Sequence, residues 1–173
     1  IESGTGTIYL DGYSQTSGSN YGAGFYLIPN VAFTIKSANT TANAIQIFGT
    51  ATGTSGEAWG LETDSGSLII LATGAGGGIT IKTSQQNTAS NIDAVFRGTT
   101  NILARSGPIN LIGGFGIVNG ILYNEGTFNL GYTTGYSDLP TSSSDITLKF
   151  DRFSWGVYPS FSTTGKIVWA PID

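Results

Sequence analysis

Residues 106–131, SGPINLIGGFGIVNGILYNEGTFNLG, state one phrase twice: Gly-x-apolar-Asn-Leu at Gly107–Leu111 and again at Gly126–Leu130. Ile109 answers to Phe128, Asn110 to Asn129 and Leu111 to Leu130, each pair 19 residues apart. Within each phrase apolar and polar residues alternate, and glycines bound the run. That is the period-2 pattern of a half-buried strand closed by turns. Two such strands in close succession point to one structural unit used repeatedly.

The same phrase is found in both directions from this stretch. Gly6-Thr7-Ile8-Tyr9-Leu10-Asp11-Gly12 has its form, and Val31, Phe33 and Ile35 alternate with Ala32, Thr34 and Lys36. Ile45-Gln46-Ile47, Leu68-Ile69-Ile70, Ile79-Thr80-Ile81, Ile146–Phe150 and Ile167-Val168-Trp169 follow. The first apolar residues of successive phrases are Ile8, Leu27, Ile45, Leu68, Ile92, Ile109, Phe128, Ile146 and Ile167, with steps of 19, 18, 23, 24, 17, 19, 18 and 21. A strand-only unit of about 20 residues with glycine corners predicts an all-β chain wound as a parallel β-helix, two or three short strands to each coil. Inward Ile, Leu and Phe would stack between coils, and the residues between them, Tyr9, Gln46, Asn110, Asn129 and Thr147, would face out. Leucine-rich repeats need an L-x-x-L-x-L pattern that is absent, and propeller blades need twice the period. The structural alternative is a β-sandwich fibre subunit assembled by strand exchange, since evenly spaced short strands fit it too.

Composition narrows the function classes. The chain has 173 residues with 7 basic and 11 acidic side chains, a net charge of −4. No run of either sign occurs, so nucleic acid and anionic membrane surfaces are not expected partners. Cys and His are both absent. This excludes a thiol nucleophile, a disulfide framework, a Cys/His zinc site and a Ser-His-Asp triad. Met is absent as well, so the chain is expected to be a processed or excised piece. No apolar stretch approaches the ~20 residues of a membrane span, and no membrane insertion is expected. The 26 glycines, with abundant Thr, Ser and Asn, favour turns and exposed strand faces over helix.

The phrases TDSGSLIILATGAGGGITIKTS (63–84) and ARSGPINLIGGFGIVNG (104–120) resemble the repeats of filamentous-haemagglutinin-like exoproteins, bacterial surface adhesins secreted by the two-partner route. The resemblance covers about Gly6 to Gly131 and rests on repeat style. It implies a right-handed parallel β-helix shaft that is secreted or held at the bacterial cell surface. The implied partner is a glycan or protein on a host or neighbouring cell. The family's Asn-Pro-Asn-Gly secretion motif is approached only by Ile28-Pro29-Asn30-Val31, which lacks the first Asn and the Gly, so that role is not carried over. Residues 1–131 are then β-helix coils. Residues 132–173 are the last coils with an aromatic-rich C-terminal cap, built from Phe153, Trp155, Tyr158, Phe161 and Trp169. Open solenoid ends also predict self-association into filaments.

No catalytic residue, cofactor or metal ligand is expected, and the chain is read as a non-enzymatic structural and adhesive segment. The opposing reading is a polysaccharide-cleaving or polysaccharide-binding β-helix. It would use the carboxylates Glu57, Glu62 and Asp64 around Trp59 as acid and base, converging with Arg or Lys. These residues lie in the loop TSGEAWGLETDSG, where acidic side chains are ordinarily just solvated, and that reading outweighs the catalytic one. Arg97 and Arg105 flank Ile102 and would hold an anionic sugar or pair with Asp93. Exposed aromatic side chains stack on sugar rings, so Tyr9, Tyr13, Tyr21 and Trp59 are candidates for a glycan surface. The candidate binding set is therefore Trp59, Glu57, Glu62, Asp64, Tyr13 and Tyr21. Gly74–Gly78 lacks the following helix and Lys-Ser/Thr pair of a phosphate loop, so it reads as a corner turn.

Overall fold

The computed structural model describes residues 1–16, 22–27, 32–53, 58–86, 92–114, 120–131 and 142–172. Among these residues seventeen strands alternate with turns, and there is no helix. Three parallel sheets share them. Sheet A holds β1 (Glu2–Ser3), β4 (Ala32–Ser37), β7 (Ser67–Ala72), β10 (Thr99–Ala104), β13 (Thr127–Leu130) and β16 (Ser160–Phe161). Sheet B holds β2 (Ile8–Thr16), β5 (Ile45–Gly53), β8 (Ile79–Gln86), β11 (Ile109–Ile112), β14 (Ile146–Lys149) and β17 (Ile167–Ala170). Sheet C holds β3 (Gly22–Leu27), β6 (Ala58–Thr63), β9 (Ile92–Phe96), β12 (Ile121–Asn124) and β15 (Arg152–Trp155). Every described pairing is parallel and joins strands one coil apart. The fold is a parallel β-helix, and a sandwich of antiparallel sheets is excluded.

The coil is longer than the sequence spacing predicts. In sheet B, Ile8 pairs with Ile45, Ile45 with Ile79, Ile79 with Ile109, Ile109 with Ile146 and Ile146 with Ile167, giving coils of 37, 34, 30, 37 and 21 residues. The spacing near 20 arises because Leu27 and Ile92 belong to sheet C and Leu68 and Phe128 to sheet A. All three sheets carry the same short apolar phrase, so counting phrases measures a fraction of a turn. Ile109 and Phe128 are thus two walls of a single coil. The stacking partners of Ile109 are Ile79 and Ile146.

Register explains the core. Sheet B contributes the columns Ile8/Ile45/Ile79/Ile109/Ile146 and Leu10/Ile47/Ile81/Leu111/Leu148. From Ile45 to Leu148 all of these are buried. Each such side chain contributes about 1.5–3 kcal/mol relative to leaving it exposed. Sheet A adds Leu68, Ile70, Ile102, Phe128 and Leu130, and sheet C adds Leu61, Phe96 and Leu122. Phe96 and Phe128 stack across the core with ring centroids 4.6 Å apart. The sheets continue past residue 131 with the same neighbours, so 142–172 extends the stack. Phe153 lies 5.4 Å from Trp155 and 5.0 Å from Trp169, and Phe161 lies 5.8 Å from Trp169, forming one aromatic cluster at its end. Gly74–Gly78 is the corner between β7 and β8, with Gly76 at φ +84°, a conformation that excludes ordinary side chains.

Where sheets B and C leave the central core they close directly on each other. A Cβ on Gly12 would lie 2.1 Å from the Gly24 carbonyl oxygen, and one on Gly24 would lie 2.3 Å from the Thr50 nitrogen. A Cβ on Gly49 would meet the Gly60 oxygen at 2.0 Å, and one on Gly60 the Ser84 nitrogen at 2.6 Å. Backbone thus touches backbone, alternating between the two sheets through the first two coils. The third coil breaks the pattern. Leu61 pairs with Ala94, and the residue before Ala94 is Asp93 where the residue before Leu61 is Gly60.

Candidate functional site

Two outward faces carry the candidate residues. On sheet C, Tyr26 of β3 lies beside Glu62 of β6 by register, and Arg97 follows the end of β9. The Arg97 guanidinium bonds the Glu62 carboxylate through Nη1 and donates from Nε to Glu125 Oε2 at 2.8 Å. It also lies 5.3 Å from the Trp59 ring centroid. Tyr123 donates to Glu125 Oε1 at 2.7 Å, and Tyr26 to Asp64 Oδ2 at 3.4 Å. Gly22, Ala23, Tyr26, Trp59 and Glu62 line a shallow cavity of about 300 Å³ above this cluster.

Electrostatics make this a closed network. The hydrogen bond from Tyr123, followed by that from Arg97, holds the Glu125 carboxyl below its usual range. That is opposite to the shift a general acid needs. Burial, then the charges of Glu62 and Asp64, raise the Tyr26 phenol. Trp59 is only 6% exposed, so it offers little open stacking surface. Glu62 is 7% exposed. Glu62, Asp64 and Arg97 do converge, as the polysaccharide-cleaving reading requires. Arg97 pairs with Glu62 and Glu125, however, and the expected pairing with Asp93 is not formed. Glu57 and Tyr21 lie outside the described residues.

Asp93 is instead buried between sheets B and C, 1% exposed. The pairing of β9 with β12 shifts register at this point: Ile121 pairs with Ile92 and Leu122 with Ala94, which leaves Asp93 as the extra residue of a bulge. Oδ1 accepts the Gln85 N–H at 3.2 Å, whereas Oδ2 is buried with no partner at bonding distance. Added Cβ atoms on Gly120 and Gly113 would come within 2.1 and 2.7 Å of Oδ2, so the carboxyl occupies space that these glycines leave open. Burial pushes its pKa up to about 7; the Gly114 and Gln85 N–H groups oppose the shift and the Asp151 charge adds to it. Asp151 accepts the N–H groups of Gly120 at 3.0 Å and Ile172 at 3.2 Å.

The second face is the outside of sheet B. Tyr13 is 65% and Tyr9 58% exposed, and Tyr13 shares a hydrogen bond of 3.0 Å with Thr52 Oγ1 in the next coil. Tyr9 packs against Phe48 with centroids 5.2 Å apart, and Lys82 Nζ lies 5.8 Å from the Phe48 centroid. Tyr13 therefore belongs to a different face from Trp59, Glu62 and Asp64. Phe48 and Lys82 were legible without a structure. Ile45 and Ile47 set the inward phase of their strand, which places Phe48 among the outward positions.

Comparison with protein-family models, with curated proteins and with solved structures finds no match to this chain. Among the described residues no group of three or more acidic side chains is placed to hold a metal ion, and no helix is long and apolar enough to cross a membrane.

Proposed function

We propose that this chain is a structural and adhesive, non-enzymatic β-solenoid segment of a secreted bacterial surface fibre, touching a cell-surface partner through the outer face of sheet B. The observation that carries the reading is the difference between the two faces. Sheet C closes its charges on one another, while sheet B leaves Tyr9 and Tyr13 more than half exposed, with Tyr9 packed on Phe48 and Lys82 over the same ring. Parallel ladders through every coil supply the shaft. The haemagglutinin-like repeat style supports the surface location.

The test is binding of the folded chain to a glycan array and to intact cells. Binding that disappears in the Tyr9→Ala/Tyr13→Ala double variant, with thermal stability preserved, is the expected outcome. No binding to any glycan or cell would overturn the adhesive reading. The convergence of Glu62, Asp64 and Arg97 favours one second reading, polysaccharide cleavage in the sheet C cavity. New reducing or unsaturated ends released from a polysaccharide, and lost in Glu62→Gln, would establish it.

A further inference from the structure

We propose that the sheet C cavity receives an arginine side chain of a partner protein, its guanidinium held by the Tyr26 ring and the Asp64 carboxylate. The inference does not depend on the adhesive reading of sheet B, and it gives sheet C a partner of its own. It follows from how the chain fills the neighbouring part of the same face. There Arg97 lies 5.3 Å from the Trp59 ring centroid and pairs with the Glu62 carboxylate. The ring offers a negative face to the cation, and the carboxylate accepts its N–H groups. One aromatic ring and one carboxylate thus hold one guanidinium.

Tyr26 and Asp64 are a second such pair, and the chain supplies no cation to it. Tyr26 lies one coil before Glu62 by register and is 48% exposed. Its hydroxyl donates to Asp64 Oδ2 at 3.4 Å, a long bond that leaves the carboxylate with acceptor capacity for further donors. Asp64 is half-buried, stands outside the Arg97 network and forms no ion pair among the described residues. Gly22 and Ala23 carry nothing larger than a methyl group, which leaves the cavity open beside the Tyr26 ring. Burial, then the charges of Glu62 and Asp64, raise the Tyr26 phenol, with Arg97 opposing them. The carboxylates outnumber the cation here, so charge selects a positive ligand. A guanidinium meets both groups, because it stacks on a ring and donates in its own plane. A quaternary ammonium has no N–H for Asp64, and a neutral sugar leaves the carboxylate unmatched.

Titration of the folded chain, followed by NMR, with a capped Gly-Arg-Gly peptide tests the proposal. The same peptide with citrulline in place of arginine, and tetramethylammonium, are the comparison ligands. The arginine peptide is expected to shift the Tyr26 ring signals to saturation, and the citrulline peptide to bind about tenfold more weakly. Tyr26→Ala and Asp64→Asn should each weaken arginine binding about fivefold. Glu2→Gln, which removes a carboxylate from sheet A, should not change it. Equal binding of the arginine and citrulline peptides, or an unaffected Asp64→Asn, would overturn the guanidinium site. Tetramethylammonium binding as tightly as the arginine peptide would overturn the role of Asp64 as an N–H acceptor. No shift with the arginine peptide would remove the proposal and leave glycan binding by sheet B untouched, whereas a silent glycan array would leave this site standing.

Discussion

The first two coils and the third solve one packing problem in different ways. Where sheets B and C meet, coils one and two place Gly12, Gly24, Gly49 and Gly60 in contact with facing backbone. Coil three has Asp93 at the corresponding point, with its side chain in the gap left by Gly113 and Gly120. Glycine contact is uncharged and insensitive to pH. A buried carboxyl with one unsatisfied oxygen ties the fit to protonation. The same fold therefore contains a section whose stability depends on backbone shape and a section where it depends on a proton.

The largest expected effect tests that proton. The Asp93 carboxyl titrates at about 7 in the folded chain against 3.8 for an ordinary aspartate. The folded state therefore binds the extra proton between those values, and stability falls as pH rises through that window and levels off above 7. Glu125 is shifted the other way, held below its ordinary value by the hydrogen bonds from Tyr123 and Arg97. A shift of this size corresponds to on the order of 4 kcal/mol. Urea midpoints of wild type should fall from pH 5 to pH 8, and those of Asp93→Asn should stay level. Parallel slopes for the two proteins would remove Asp93 from the account.

Next in size is the glycine contact. Gly49→Ala would drive a methyl to 2.0 Å from the Gly60 oxygen, and neither backbone can give way without moving its sheet. A cost of about 3 kcal/mol follows from overpacking at such a site. Gly4→Ala is the control, since nothing lies within 4 Å of its added Cβ, and it should leave the melting temperature within a degree or two or raise it slightly. Equal effects for the two substitutions would show that the sheets are farther apart than described.

These sites also show what could be read from residues alone. Alternation gave strands, corners and the inward phase correctly, because a strand's two faces are written every second residue. It misjudged coil length, because Leu27, Leu68, Ile92 and Phe128 obey the same rule in other sheets. Which sheet a phrase joins is decided by long-range register, which leaves no local mark. Trp59 and Glu62 were visible as residue types, but Arg97, the residue joining them, lies 35 positions beyond Glu62. In the sequence Asp93 stands out only as a pairing partner for Arg97 or Arg105. Its burial becomes apparent only when Gly60 and Asp93 are set in successive coils.

Arg97 separates charge outside the third coil from charge inside it. Arg97→Ala takes the guanidinium from Glu62, whose side chain is 9% exposed, and from Glu125, at 43%. Removing the partner of a largely buried carboxylate should cost about 2 kcal/mol, below the fully buried limit because Arg97 itself is 31% exposed. Glu125→Gln touches only the solvated arm of the network and should cost under about 1 kcal/mol. Chemical denaturation of the two variants reads the ordering directly. A larger loss in Glu125→Gln would mean that the exposed pair, rather than Glu62, anchors Arg97.

The smallest effect is expected at the exposed side of the first two coils. The Tyr13 hydroxyl meets Thr52 Oγ1 at 3.0 Å, joining coil one to coil two beside the glycine contact. Tyr13 is 65% exposed, so water replaces that bond readily when the hydroxyl is lost. Tyr13→Phe should then change stability by less than about 0.5 kcal/mol, because backbone contact between Gly12, Gly24 and Thr50 already fixes the spacing of these coils. The retained ring keeps its stacking surface, so glycan binding should survive Tyr13→Phe and fall in Tyr13→Ala. A stability loss approaching that of Gly49→Ala would reverse the account of the first two coils, making a surface hydrogen bond, and not glycine packing, the element that holds them together.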